Sequence, residues 1–161
     1  MATEEPINHL EQRLQALFDE AKQLADIYWE DHYTQNLNKA WEDVSRVGVR
    51  IRRANGSLDA SWFTIRWARL GKAEKSKMLT RHLRRGRGWR YSAAVLNRHA
   101  QPWQRELVQK TEDQLASIRA EYSSIRRAIQ SLRTADRYAS ERRARHEQTD
   151  LETDLKETNH A

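Results

Sequence analysis

The sequence predicts a mainly α-helical protein with a small antiparallel β-sheet, in which two long, coiled-coil-like helices flank a β-hairpin or three-stranded sheet. Three observations lead there. Apolar residues recur at heptad spacing toward both ends of the 161-residue chain. The middle switches to alternation around an Asn-Gly pair, and only 5 Gly and 2 Pro interrupt the whole. The length suits about one domain with a single modest core. We place that domain at residues 1–140, with a helix over 5–45, a basic β region over 46–92 and a long helix over 102–140.

The first helix is predicted from Ile7, Leu10, Leu14, Leu17, Ala21, Leu24 and Tyr28, whose steps of three and four put them on one seam. Pro6 fits a first turn, and Glu4 and Glu5 favour the positive end of the helix dipole. The pattern can run on through Trp41 and Val44 but must stop before Gly48.

The middle, RVGVRIRRANGSLDASWFTIRW, changes period. A type I′ turn at Asn55-Gly56 pairs 54 with 57, 53 with 58, 51 with 60 and 49 with 62. Val49, Ile51, Ala60 and Trp62 then share one face, and Arg52 faces Asp59 across the other. Phe63, Ile65 and Trp67 alternate on that second face, so the strand base is expected to be buried on both sides or bulged. In KSKMLTRHLRRG, Leu79 and Leu83 fit either a third strand or a short helix, the strand being favoured because it extends the hairpin into a small sheet. Gly86 and Gly88 end the element, and Trp89, Tyr91 and residues 94–96 lead into the last helix.

That helix begins near Pro102 and carries Val108, Thr111, Leu115, Ile118, Tyr122, Ile125, Ile129 and Leu132 as its seam. A helix over 102–140 is about 55–60 Å long at 1.5 Å per residue, more than one small core covers. The seam must pair with the first helix, with a second copy of the chain, or with both, and a homodimer is expected. The tail over 141–161 has few apolar residues and is expected to fray or be disordered.

Charge sharpens the picture. The net charge is +6, yet residues 46–105 carry 16 Lys/Arg against 2 Asp/Glu, while residues 1–45 carry 3 against 10. Such segregation implies a polyanionic partner for the middle. Arg50, Arg52 and Arg53 lie on or beside the hairpin, and Arg81, Arg84, Arg85, Arg87 and Arg90 follow within RHLRRGRGWR. In a small sheet the two clusters come from neighbouring elements and can merge into one patch. The guanidinium fork contacts phosphate bidentately, and Arg85-Gly86-Arg87 has the small-residue form that lets arginines enter a narrow groove, although the proline of an AT-hook is missing. Trp89 is read either as a base-stacking ring or as a core residue; Trp62 and Trp103 are read as core, and Trp67 is left open. DNA binding through these nine residues, Trp89 included, is the reading the residues favour. An RNA-binding module and a coiled-coil adaptor with a basic protein-binding patch are the alternatives.

Catalysis finds little footing. The chain has no cysteine, its six histidines lack HxH or HExxH spacing, and neither a GxSxG elbow nor a P-loop is present. Glu30-Asp31 reads as a solvated face, and Tyr91 lacks the histidine metal triad of a DNA-nicking tyrosine. No enzyme, no cofactor and no metal are expected. The N-terminus MATEEPINHLEQ lacks an apolar h-region, and no apolar run approaches the roughly 18 residues of a span, so a cytoplasmic protein without membrane contact is expected.

The order YWEDHY, VGVRIRRANGSLDASWFTIRW, RRGRGWRYS and PWQRELVQKTEDQLASIRAEYSSIRRAI resembles the MobI family, auxiliary conjugative-transfer proteins of SXT-type integrative elements and A/C-type plasmids. The likeness covers about residues 15–135 and rests on hydrophobic, Arg-Gly and Trp positions. It implies a relaxosome accessory that binds double-stranded DNA at the origin of transfer and helps a relaxase initiate mobilisation, supplying recognition and not the nick. It supplies no site residues of its own.

Overall fold

The structure, a computed structural model, describes residues 3–68 and 76–158. Residues 69–75 of the basic segment and the last three residues of the expected tail lie outside the described residues. The element order is α1 (Glu4–Asn36), β1 (Val47–Ala54), β2 (Ser57–Ala68), β3 (Lys77–His82), α2 (Ala93–His99), a 3₁₀ turn (Pro102–Gln104) and α3 (Arg105–Thr158). The chain divides into two compact units, one of Leu14–Ser124 and one of the helical stretches up to Arg13 and from Ile125 onward.

In the larger unit the sheet is antiparallel in the order β1-β2-β3. Its hairpin register is the one the Asn-Gly pair dictates: Ala54 pairs with Ser57, Ile51 with Ala60 and Val49 with Trp62. Asn55 and Gly56 both take positive φ, 52° and 72°, as a type I′ turn requires. The expected third strand forms, pairing Phe63 with His82 and Ala68 with Lys77. One face of this sheet, with Val47, Val49, Ala60 and Trp62, is buried.

The seams of α1 and α3 are buried where they flank the sheet: Leu17, Ala21 and Tyr28 on α1, and Val108, Leu115, Ile118 and Tyr122 on α3. Leu24 and Ile27 lie beside Gln114 and Ile118, so the two seams are brought together within one chain. In the smaller unit Arg133 donates to Glu11 (2.7 Å), an exposed pair worth little in water.

Three boundaries differ from expectation. Helix α1 ends at Asn36 rather than near 45, because the Asn36 side chain binds the Ser45 backbone at both ends: Oδ1 accepts from Ser45 N (2.8 Å) and Nδ2 donates to Ser45 O (3.1 Å). That clamp turns residues 37–45 back toward the sheet. A separate helix, α2, precedes α3, with Ser92 as its N-cap accepting from Val95 N (3.2 Å). At the other end, α3 stays helical through Thr158 instead of fraying after 140. Strong helix formers fill that stretch, and Glu141 lies 3.9 Å from both Arg137 and Arg145 at i,i+4 spacing.

Strand β1 is an edge, and α1 satisfies it. Tyr28 Oη donates to Val47 O (2.5 Å) and Trp29 Nε1 donates to Val49 O (2.9 Å), so two outward carbonyls of the edge are occupied by side chains. Gln104 Nε2 donates to Tyr28 Oη (2.8 Å), and Ser45 Oγ donates to Gln104 Oε1. Trp103 is half-buried, its Nε1 donating to Asp43 O (2.9 Å). His32 is buried in the same cluster, with Asn36 Nδ2 3.2 Å from its Nε2. Desolvation holds its pKa below the ordinary value, against the opposing pull of Asp31.

This packing has measurable consequences for stability. A Cβ at Gly48 would fall 2.6 Å from both Phe63 Cζ and Trp29 Cη2, so Gly48→Ala should lower the unfolding free energy measured in urea by an overpacking cost of about 1–3 kcal/mol. Because the folded state disfavours protonated His32, its contribution is intact above the unfolded pKa of about 6.5 and is lost as pH falls below it. Unfolding curves of the parent and His32→Gln between about pH 7.5 and 5 should therefore show the smaller acid-induced loss in the variant.

Candidate nucleic-acid interface

The basic turn after β3 is held by a buried ion pair on α3. Glu112 and Arg119 are seven residues apart, two helical turns along one face, and both side chains are almost fully removed from solvent. Arg119 Nη1 donates to Glu112 Oε1 (2.8 Å) and Nη2 to Oε2 (3.1 Å), a bidentate fork. The remaining valences reach outward. Trp62 Nε1 donates to Glu112 Oε2 (2.7 Å), the Tyr91 amide donates to Oε1 (2.8 Å), and Arg119 donates to Ala60 O (2.9 Å) and Trp89 O (2.8 Å). Tyr91 packs its ring 5.2 Å from the guanidinium and accepts at Oη from the Trp62 amide (3.4 Å); burial raises its phenol pKa. One pair thus joins α3 to β2 and to residues 89–91.

The arginines singled out from the sequence fall into two sets. On the hairpin, Arg52 is engaged by Asp59 (2.5 Å), as the cross-strand register requires. Arg53 donates to Gln15 Oε1 (2.7 Å) and lies 4.6 Å from the Phe18 ring centroid on α1, while Arg50 lies 5.2 Å from that of Phe63. On the turn, Arg90 is paired with Asp113. Arg85 is half-buried and curls back to donate to Gly88 O (3.0 Å), so it does not project as the sequence suggested; Gly86, at φ 86°, reverses the chain between them. Arg81, Arg84 and Arg87 are exposed and have no side-chain hydrogen bond or ion pair among the described residues.

The two clusters do not share an edge. β1 lies along one side of β2, whereas the segment from β3 to Tyr91 follows the other, with Leu83 N donating to Trp62 O (2.9 Å). β1 and β3 therefore flank β2. Trp89 is 44% exposed, so its ring is not core; its carbonyl is the part held by Arg119. Trp67, left open by the sequence, is 54% exposed on the other face of the sheet.

Sequence reasoning missed Glu112, Arg119, Gln104 and the role of the Tyr28 hydroxyl. A signal existed for the first two: a carboxylate and a guanidinium one heptad apart, each adjoining an apolar seam position, at Thr111 and Ile118. Among the described residues, no group of three or more His, Asp or Glu is placed to hold a metal ion, and no helix is long and apolar enough to cross a membrane.

A family model described as MobI protein matches residues 17–133. No curated protein and no solved structure matches the chain. The matched span takes in the sheet, the basic turn and both halves of the Glu112–Arg119 pair.

Removing one partner of that pair leaves the other charge buried and alone. Glu112→Ala and Arg119→Ala should each cost about 3–5 kcal/mol in chemical denaturation, whereas Arg90→Ala, which breaks an exposed pair, should cost under about 1 kcal/mol.

Proposed function

From the premise that this chain belongs to the MobI family, and so to the proteins of conjugative mobilisation, we propose that it is a DNA-binding accessory acting at the origin of transfer. Its role is to recognise duplex DNA and help a relaxase begin processing, with the nick left to the relaxase. The observation that carries this reading is the set Arg81, Arg84 and Arg87: three exposed arginines without a side-chain partner among the described residues, within a segment of net charge +14. The backbone that presents them is pinned at Trp89 and Tyr91. Guanidinium groups already engaged by carboxylates, as in Arg52 and Arg90, must release them to meet phosphate; the open ones need not.

The hairpin arginines then serve as a secondary contact on the far side of β2. A second copy of the chain would double the number of phosphates engaged without new chemistry, and the exposed Leu151 and Leu155, at i,i+4 spacing on the distal part of α3, offer it an apolar contact. The relaxase is the protein partner in this reading, by virtue of the family alone.

The triple variant Arg81→Ala/Arg84→Ala/Arg87→Ala tests the assignment, since all three side chains are exposed and the fold should persist. Binding to DNA carrying the cognate origin should weaken, and the slope of log K against log salt should become shallower by roughly 2–3, about 0.9 for each phosphate that is no longer neutralised. Unchanged affinity and slope would place the site elsewhere. Tighter binding of structured RNA than of duplex DNA in competition would favour an RNA-binding module instead.

A further inference from the structure

The face of the sheet turned away from Trp62 also carries an aromatic surface to which the duplex reading assigns no role. Phe63, Ile65 and Trp67 on β2 and Met78 on β3 meet Tyr33 of α1 and Trp41 of the following turn around a groove of about 550 Å³. Tyr33, Trp41, Trp67 and Met78 are each more than half exposed, at 64%, 67%, 54% and 53%. Apolar surface gathered this way on a soluble protein marks an interaction site, whereas isolated exposed rings do not.

The groove is built rather than incidental. Gly48 has no side chain because the Phe63 and Trp29 rings occupy the space above it. Trp29 is locked by its bond to Val49 O, and Tyr33 stacks on it at 5.5 Å with 24° between the planes. The turn after α1 is held by the Asn36 clamp on Ser45, which brings Trp41 to the rim. Arg46 lies 4.5 Å from the Trp41 ring centroid, and Arg50 lies over Phe63. Arginine is the only charged residue type lining the groove among the described residues.

This lining selects its occupant by chemistry. Flat exposed rings favour a ligand with flat π faces, and cations without carboxylates favour an anion. Unpaired nucleotides combine both; a duplex does not, because its base faces are already stacked. An apolar peptide would satisfy the rings but bring no anion to Arg46, whose side chain meets only the Trp41 carbonyl and ring there among the described residues. We infer that this groove binds an unpaired segment of DNA, whose bases stack on Trp41 and Trp67 while Arg46 at the rim meets its backbone. The inference rests on the reading of this chain as a DNA-handling protein. It gives that protein two surfaces, an arginine turn for duplex and an aromatic groove for the single strand exposed when an origin opens.

Fluorescence anisotropy with a labelled single strand of about 16 nucleotides, with its duplex and with an RNA of the same sequence, separates these surfaces. Trp41→Ala/Trp67→Ala removes two exposed rings, and Arg46→Glu reverses the rim charge as an independent variant. Each should weaken single-strand binding by about tenfold or more and leave duplex binding within about twofold. The parent's tryptophan emission should be quenched by the single strand, and the double variant's much less. The arginine-turn triple variant should show the opposite selectivity. Single-strand affinity unchanged in both groove variants, or lost in step with duplex affinity, would overturn the groove assignment while leaving the duplex reading intact. Tighter binding of RNA than of the DNA strand would overturn the choice of DNA. A parent that binds the single strand but no duplex would sustain the groove and overturn the duplex reading. A parent that binds neither would overturn both.

Discussion

The Glu112–Arg119 pair is the interaction on which the middle of this protein depends. Moving two charges from water into a protein interior costs several kcal/mol each, and their mutual attraction offsets that cost only when the remaining hydrogen-bonding capacity is also met. Here it is met. The carboxylate accepts from the Trp62 indole and the Tyr91 amide as well as from the guanidinium, and the guanidinium also donates to the carbonyls of Ala60 and Trp89. Because those partners come from β2 and from the turn leading to α2, α3 cannot shift along the sheet without stranding a buried charge. The pair fixes arrangement more than it adds stability.

A second polar cluster performs the same service at the other side of Trp62, whose ring meets that of Tyr28 edge-on at 5.1 Å. Tyr28 and Trp29 close the open carbonyls of β1, Gln104 and Ser45 close the hydroxyl of Tyr28, and Asn36 holds the loop. Burial pushes the Tyr28 phenol well above its ordinary pKa, which keeps it a neutral donor. The edge strand that would otherwise invite pairing with another chain is thereby used internally. The cost of leaving one of these groups unmatched explains why so many polar residues can sit in a core this small.

With the scaffold fixed, arginine takes two roles that composition cannot separate. Arg119 is structural and buried, Arg52 and Arg90 are paired at the surface, and Arg81, Arg84 and Arg87 face solvent with no partner among the described residues. The hairpin arginines and those of β3 and the basic turn come from opposite sides of β2. Exposed rings follow the same logic. Trp62 is interior, whereas Trp41, Trp67 and Trp89 are not, and only the fold distinguishes them.

Local chemistry was legible in the residues. The Asn55-Gly56 turn set the hairpin register to the residue, since only such a pair accepts two consecutive positive φ angles, and the side-chain period of two then fixed both faces. Heptad spacing located both seams, and the charge segregation located the basic middle. Pairings between residues distant in sequence were not legible. Asn36 ends α1 through Ser45, Arg119 reaches Ala60 O across 59 positions, and Glu112 meets Trp62 across 50. A residue's own type and its near neighbours decide turn, period and charge. Whether a charge is spent inside the fold or offered to a ligand depends on which distant carbonyl or carboxylate lies within about 3 Å, and packing alone determines that.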